Sequence, residues 1–281
     1  MIDLHTHSAT SDGTDTPGEL INKALARGLD VVALTDHDTI AGWDEALRYL
    51  RPNLDLVLGS EISCQTEDGI SVHMLGLLFD PDYLPLQEVM AQTRDNRHGR
   101  MEKIIRRLND NGYQIEMSDV LAQLSEGATL GRPHLADALI AKGLVKNREE
   151  AFAELLHNNS RFYVSHYSPT PEEVIRLIKS AGGVAVIAHP LASLRGRTIE
   201  PAVIQSLVGA GLDGIEVHHR DQNLEERELL SHIARDFDLV VTGSSDYHGT
   251  GKLNVLAEST TDPQQWEALE SRARERRVIS L

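Results

Sequence analysis

Short apolar runs alternate with amphipathic stretches along most of the chain, and each run has the length of a strand rather than of a helix. The first, Ile2-Asp3-Leu4-His5, reads as a strand. Thr16-Pro17-Gly18-Glu19 reads as a helix start, with Thr16 as N-cap, Pro17 at the first position and Glu19 closing a capping box. That helix, over 20–26, stops at Gly28. Residues 30–35 are too apolar to alternate and read as a buried parallel strand. A helix over about 41–50, a strand over 54–58 and a strand over 70–79 follow. From about 85 to 165 helical periodicity takes over, with Met101, Ile104, Ile105 and Leu108 on one face. Gly131-Arg132-Pro133-His134 opens a helix over 135–141 that ends at Gly143. The first pattern then resumes, with strands over 183–188, 214–217 and 239–242 and helices near 171–180, 201–207, 223–235 and 263–274.

This alternation implies an α/β fold of parallel strands with helical crossovers. The expected organisation is a barrel domain from 1–84 and 166–281, interrupted by a helical insertion (cap) domain over 85–165. No 20–50-residue repeat is visible. With 281 residues the chain is long enough for one such barrel and a large core. No run of about 18 apolar residues and no charged-then-apolar leader occurs, so neither a membrane span nor a signal peptide is expected. The single cysteine, Cys64, excludes an intramolecular disulfide and a cysteine-rich zinc ribbon, and fits a reducing cytoplasm. A formal net charge of −16 argues against a broad nucleic-acid-binding surface and a stable nucleic-acid complex. An anionic substrate stays open, because bound divalent ions reverse the sign inside a cleft.

The polar residues are placed with a regularity that changes the picture. His5 and His7 stand two apart at the end of the first strand, so both imidazoles can reach one point, and Asp12 follows in a loop able to fold back over them. Asp36 and His37, Glu61, His189, His218 with His219, and Asp246 with His248 also fall at or just beyond the C-terminal ends of expected strands. In a closed parallel barrel those ends share the face that hosts chemistry. A mixture of imidazole and carboxylate without thiolate suits Mn, Fe or Zn in a cluster with a bridging carboxylate. Two or three ions a few Å apart are the usual apparatus for hydrolysing phosphate esters.

Six motifs, in order along the chain, closely resemble the polymerase-and-histidinol-phosphatase (PHP) superfamily of metal phosphoesterases: His5-Thr6-His7-Ser8, Asp12-Gly13, Thr35-Asp36-His37-Asp38, Gly59-Ser60-Glu61-Ile62, Ala188-His189-Pro190 and Ser245-Asp246-Tyr247-His248. The resemblance implies a distorted seven-stranded (β/α) barrel of PHP type and a catalytic centre of up to three divalent ions. It implies one ion on His5, His7, Glu61 and Asp246, a second sharing Glu61 with His73 and His189, and a third on Asp12, His37 and His248. Mn²⁺ is the expected ion, with Fe, Zn and Mg also suited to such donors. His73 lies within a strand, so a hydrogen-bonded core histidine is the alternative to its role as a ligand.

The insertion and Leu130-Gly131-Arg132-Pro133-His134 resemble the branch that removes the 3′-phosphate from nucleoside 3′,5′-bisphosphates, such as 3′-phosphoadenosine 5′-phosphate to AMP and phosphate; related members trim very short RNA from its 5′ end. Arg132 and His134, at a helix N-terminus, are expected to hold the substrate's 5′-phosphate, the alternative being a capped, solvent-facing helix start. Arg195 is a candidate for a further phosphate contact, and His218 or His219 for protonating the leaving oxygen or lining the base pocket, with local packing an equal explanation. Asp36 orients a neighbouring ligand or makes a turn. The basic run Arg94 to Arg107 is a solvated helix face, or else turns a cation to the cleft. The expected partner is a small nucleotide. Two readings compete: a 5′→3′ exoribonuclease on short oligoribonucleotides, and a non-catalytic metal-binding regulatory module.

Overall fold

The structure, a computed structural model, describes residues 1–125, 128–157, 160–164 and 168–281. Seven strands form one sheet whose spatial order repeats the chain order: β1 (Ile2–Asp3), β2 (Val31–Leu34), β3 (Asp55–Gln65), β4 (Ser71–Leu77), β5 (Val184–Ala188), β6 (Gly214–His218) and β7 (Val240–Gly243). The sheet curls until its two edges nearly meet. Thr6, beyond β1, bridges to Tyr247, beyond β7, and the His7 N–H donates to the Tyr247 carbonyl at 2.8 Å. The buried Asp3 carboxylate strengthens this seam by accepting from the main-chain N–H groups of Ser245 (3.0 Å) and Ala257 (2.9 Å). The result is the expected seven-stranded barrel.

Among the described residues ten α-helices accompany it: α1 (Pro17–Arg27), α2 (Trp43–Tyr49), α3 (Leu84–Asn109), α4 (Met117–Leu121), α5 (Arg132–Ala141), α6 (Arg148–Ala151), α7 (Pro171–Ser180), α8 (Pro201–Ala210), α9 (Leu224–Asp236) and α10 (Pro263–Ser271). Helix α1 shows the local logic. The Thr16 hydroxyl accepts from Glu19 N–H at 3.2 Å, Glu19 accepts from Thr16 N–H at 2.9 Å, and Gly28 ends the helix at φ 78°. Among the described residues no helix is long and apolar enough to cross a membrane.

The all-parallel expectation fails at β4, which pairs antiparallel with both β3 and β5. Strand β3 runs on to Gln65 instead of stopping near 58, and a tight turn at Thr66–Gly69 leads straight into β4. So short a link cannot hold a helical crossover, so the chain must reverse. Glu61 therefore lies inside a strand, not just past its end.

Alternation sorts the strand residues onto two faces. Val32, Leu34, Leu56, Leu58, Ile62, Met74, Ile187, Ile215 and Val217 face outward and pack under α1, α2, α7, α8 and α9. Val31, Ala33, Val57, Leu75, Leu77, Val184, Val186 and Val240 face the barrel interior, where Trp266 and Leu269 of α10 join them. A third cluster, from Met101 to Val164, is built by the insertion alone. Helix α3 serves both: Leu86 and Met90 pack in the barrel's outer core, and Met101, Ile104, Ile105 and Leu108 in the insertion's. The insertion is tied to the barrel by Thr129 N–H to the Thr10 carbonyl (3.0 Å), Arg97 to Asp38 (2.6 Å) and Arg148 to the Gly251 carbonyl (3.1 Å). The expected boundary at 165/166 lies outside the described residues.

Candidate metal centre

Along the barrel interior the inward-facing rows begin apolar and end in ligand-type side chains. In β3 the row is Val57, Gly59, Glu61; in β4, read backwards, Leu77, Leu75, His73. After β2 it continues from Ala33 to Thr35 and His37, and in β6 from Gly214 to Glu216. After β7 it passes through Ser244 to Asp246. The upper third of the barrel is thus a bowl of imidazole and carboxylate standing on a hydrocarbon floor. His189 (φ 31°) and Asp246 (φ 51°) hold left-handed backbone conformations, which fold packing enforces at about 1–3 kcal/mol each.

Glu61 is the hub. Its Oε1 lies 2.7 Å from His73 Nδ1 and 3.4 Å from His189 Nε2. Its Oε2 lies 3.3 Å from His5 Nε2, 3.1 Å from His7 Nε2 and 3.1 Å from His37 Nδ1. Asp246 Oδ1 faces the same His5 and His7 nitrogens at 3.4 and 3.3 Å. Asp12 Oδ1 stands 3.1 Å from His248 Nε2 and 3.8 Å from His7 Nδ1, and Asp12 Oδ2 stands 3.7 Å from His37 Nε2. All nine side chains expected as ligands meet in this one cluster. Two of the expected groupings recur as mutually close donor sets: His5, His7, Glu61 and Asp246, and the trio Asp12, His37 and His248, which His7 joins.

The donor set fits divalent ions. His37 Nδ1 and His248 Nε2 are buried with no hydrogen-bond partner among the described residues. His248 Nδ1 donates to the Asp246 carbonyl at 2.8 Å, which leaves the Nε2 lone pair aimed at Asp12. The electrostatics point the same way. Burial, with Lys252 and His7 adding to it, pushes His248 down to about 4, and burial together with Arg195 holds His189 well below its usual value. His7 is opposed by burial yet driven up to about 9 by hydrogen bonds to Asp246 and Glu61. Asp12 and Asp246 stay ionised despite burial, held low by His248 and by Lys252 and Arg195 respectively. So many buried carboxylates and imidazoles need positive charge at their centre, which divalent cations supply.

Sequence reasoning missed Glu216. It is fully buried in β6, its Oε1 lies 3.2 Å from His5 Nδ1, and its Oε2 accepts the His189 N–H at 2.9 Å. A carboxylate on the far nitrogen of a ligand imidazole fixes the ring and its tautomer. Asp36 instead holds the loop that bears Asp12, accepting from Ser8 N–H (2.8 Å), Ser8 Oγ (2.7 Å) and Ser11 Oγ (2.7 Å).

A cavity of about 1450 Å³ opens above the bowl. Asp12, His37, His73 and His189 line its floor; Arg97, Arg100 and Arg132 come from the insertion, and Arg195 and Lys252 from barrel loops. The basic run therefore turns two cations, Arg97 and Arg100, to the cleft. Arg100 donates to the Val164 carbonyl (2.7 Å) and Arg132 to the Leu156 carbonyl (2.6 Å), while both guanidinium groups lie over the Tyr163 ring. Burial lowers both pKa values, and Arg132 lowers Arg100 and Arg97 lowers Arg132 further, a sign of crowded positive charge that an anion relieves. His134 is not on this wall: it is buried, and its Nδ1 accepts from Gly131 N–H at 3.1 Å as a helix cap. His219 is buried behind Asp246, 3.6 Å from Oδ2, whereas His218 points outward.

A PHP domain model matches residues 3–167. The chain is 34% identical over 249 residues to a 5′-3′ exoribonuclease of Haemophilus influenzae, covering 88% of this chain and 89% of that protein. It is 33% identical over 252 residues to a 3′,5′-nucleoside bisphosphate phosphatase of Chromobacterium violaceum, covering 89% and 88%. A crystal structure from Bifidobacterium adolescentis, described as a metal-dependent phosphoesterase, superposes with a TM-score of 0.91 at 42% identity, covering 97% of this chain and 96% of that one.

Proposed function

Because the chain belongs to the PHP domain family of metal-dependent phosphoesterases, we propose that it hydrolyses the 3′-phosphate of nucleoside 3′,5′-bisphosphates. The observation that carries this reading is the pairing of two centres in one cavity: the His/Asp/Glu bowl on its floor, which would draw an anion once it holds divalent ions, and the Arg100 and Arg132 pair on the insertion wall. A small molecule with phosphate at both ends satisfies both.

The ions would sit on His5, His7, Glu61 and Asp246, on Glu61, His73 and His189, and on Asp12, His37 and His248. When bound, divalent ions, Mn²⁺ being our expectation, activate water and offset charge on the phosphoryl oxygens. Glu61 spans the donor groups with its two oxygens and so sets their spacing. Glu216 and the Asp246 carbonyl fix the rings of His5 and His248. Arg132 and Arg100, each steadied by a main-chain carbonyl, grip the 5′-phosphate and turn remote binding into placement of the scissile group. His134 supports this grip from behind, by capping the helix that presents Arg132.

The test is a panel of 3′,5′-bisphosphates, monophosphates and 5′-phosphorylated oligoribonucleotides, with inorganic phosphate and mononucleotide read separately. Arg132→Ala should raise KM for the bisphosphate by about 10–100-fold, as loss of a charge-assisted anchor predicts, and leave a 3′-monophosphate unaffected. Equal losses on both would remove the anchor role. A second reading is 5′→3′ cleavage of short oligoribonucleotides. It is favoured by the cavity, which exceeds the roughly 300–1,000 Å³ usual for small ligands, and by the Haemophilus relative. Release of mononucleotide in excess of inorganic phosphate would select it.

A further inference from the structure

The loop after β5 carries Arg195 at the end of a single 3₁₀ turn, Ser193–Arg195. Two carboxylates clamp its guanidinium: Nε donates to Asp221 Oδ2 at 2.7 Å, and Nη2 to Asp246 Oδ2 at 2.5 Å. Nη2 also lies 3.4 Å from His219 Nε2, and the contact of Nη1 is the unusual one. Nη1 donates to His189 Nε2 at 2.9 Å. Guanidinium has five donors and no acceptor and stays protonated, so this bond uses the Nε2 lone pair of His189. The same nitrogen faces Glu61 Oε1 at 3.4 Å, the oxygen shared with His73. One lone pair cannot serve a guanidinium and a metal ion together. Among the described residues no other ring nitrogen of the bowl faces a guanidinium or ammonium group, and Asp246 receives Arg195 and Lys252 on Oδ2 while it presents Oδ1 to His5 and His7.

We propose that Arg195 is a gate on the ion site of Glu61, His73 and His189, because guanidinium and cation compete for His189 Nε2. Resting on the metal assignment above, this makes that site the weakest of the three and the last to fill. The loop is built to yield. Leu194 is 82% exposed and packs against little, and Gly196, at φ 128° and ψ −142°, supplies a backbone that few other residues adopt. Asp221 keeps hold of Nε when Nη1 leaves His189, so the displaced cation stays at the cavity mouth, where phosphate oxygens can take it.

The experiment is equilibrium dialysis of Mn²⁺ against wild type, Arg195→Ala, His189→Ala and the double variant, with bound metal counted and circular dichroism confirming the fold. Arg195→Ala should tighten the weakest site by about 10-fold or more, the scale on which outer partners tune metal affinity. His189→Ala should lose that ion, and adding Arg195→Ala to it should change nothing. Asp221→Asn, which loosens the clamp without touching the bowl, should tighten the site in the same direction by less. Unchanged affinity in Arg195→Ala would overturn the gate while leaving the ligand assignment intact. Equal tightening in the His189→Ala background would show a general charge effect and overturn it as well. A full complement of ions in His189→Ala would remove the ligand assignment itself, and the gate with it.

Discussion

Glu216 shows how a single buried side chain decides what its neighbours can do. An unpaired carboxylate at full burial is costly, and here both oxygens are engaged, one by His5 and one by the His189 main chain. Glu216→Gln keeps the shape but weakens the hold on His5, and should lower Mn²⁺ affinity by about 10–100-fold in the same dialysis assay. A change within twofold would demote Glu216 to packing. The candidate ligands are largely legible in the sequence, because His5, His7, His37, His189, Asp246 and His248 stand where apolar runs stop. Glu216 is not, because it sits inside the run Gly-Ile-Glu-Val-His, where one acid between apolar neighbours carries no marker of its own. Only its parity with the inward rows, visible once the barrel is closed, gives it away. His134, expected as a substrate contact from its place at a helix N-terminus, and His219, from its place at a strand end on the active face, are both buried and off the cavity lining.

At the scale of elements, β3 and β4 are the departure from a repeating strand–helix plan. Ser60-Glu61 resembles a loop after an apolar strand, yet Ile62 and Cys64 continue the outward alternation and keep the chain extended to Gln65. The register pairs Ser63 with His73 and Glu61 with Leu75, so a slip of one residue would turn His73 out of the bowl. Gly59 permits the close pairing: a Cβ there would lie 2.7 Å from the Gly76 carbonyl and 2.7 Å from Leu77 Cδ2. Gly59→Ala should destabilise the protein by about 1–3 kcal/mol in urea titration, through overpacking. Thr16→Ala, which removes the cap of α1 and breaks a bond to Glu19 rather than to any residue of the bowl, should cost about 1 kcal/mol and leave Mn²⁺ binding as it was. Helix ends of this kind were readable from four residues. The sense of β4 was not, because it depends on how short a turn the chain can make.

For the whole molecule, ions should act as a clasp. The candidate donors come from the segments after β1 and β2, from β3 and β4, and from the segments after β5 and β7, so cations would join both sides of the seam that Thr6 and Tyr247 close. Mn²⁺ at about 100 times its Kd should add roughly 2.7 kcal/mol, read as a thermal midpoint higher by several degrees, and chelation should reverse it. An identical midpoint with and without metal would contradict the clasp. The insertion, by contrast, has its own hydrophobic core and meets the barrel through the first turns of α3, where Leu86 and Met90 pack, and through polar ties to Thr10, Asp38, Ser63 and Gly251. A roof with a core of its own can be exchanged beyond the first turns of α3 without rebuilding the hydrolytic floor. Grafting the corresponding roof of an exoribonuclease relative onto this barrel should transfer the choice between mononucleotide and oligonucleotide while the reaction underneath stays the same.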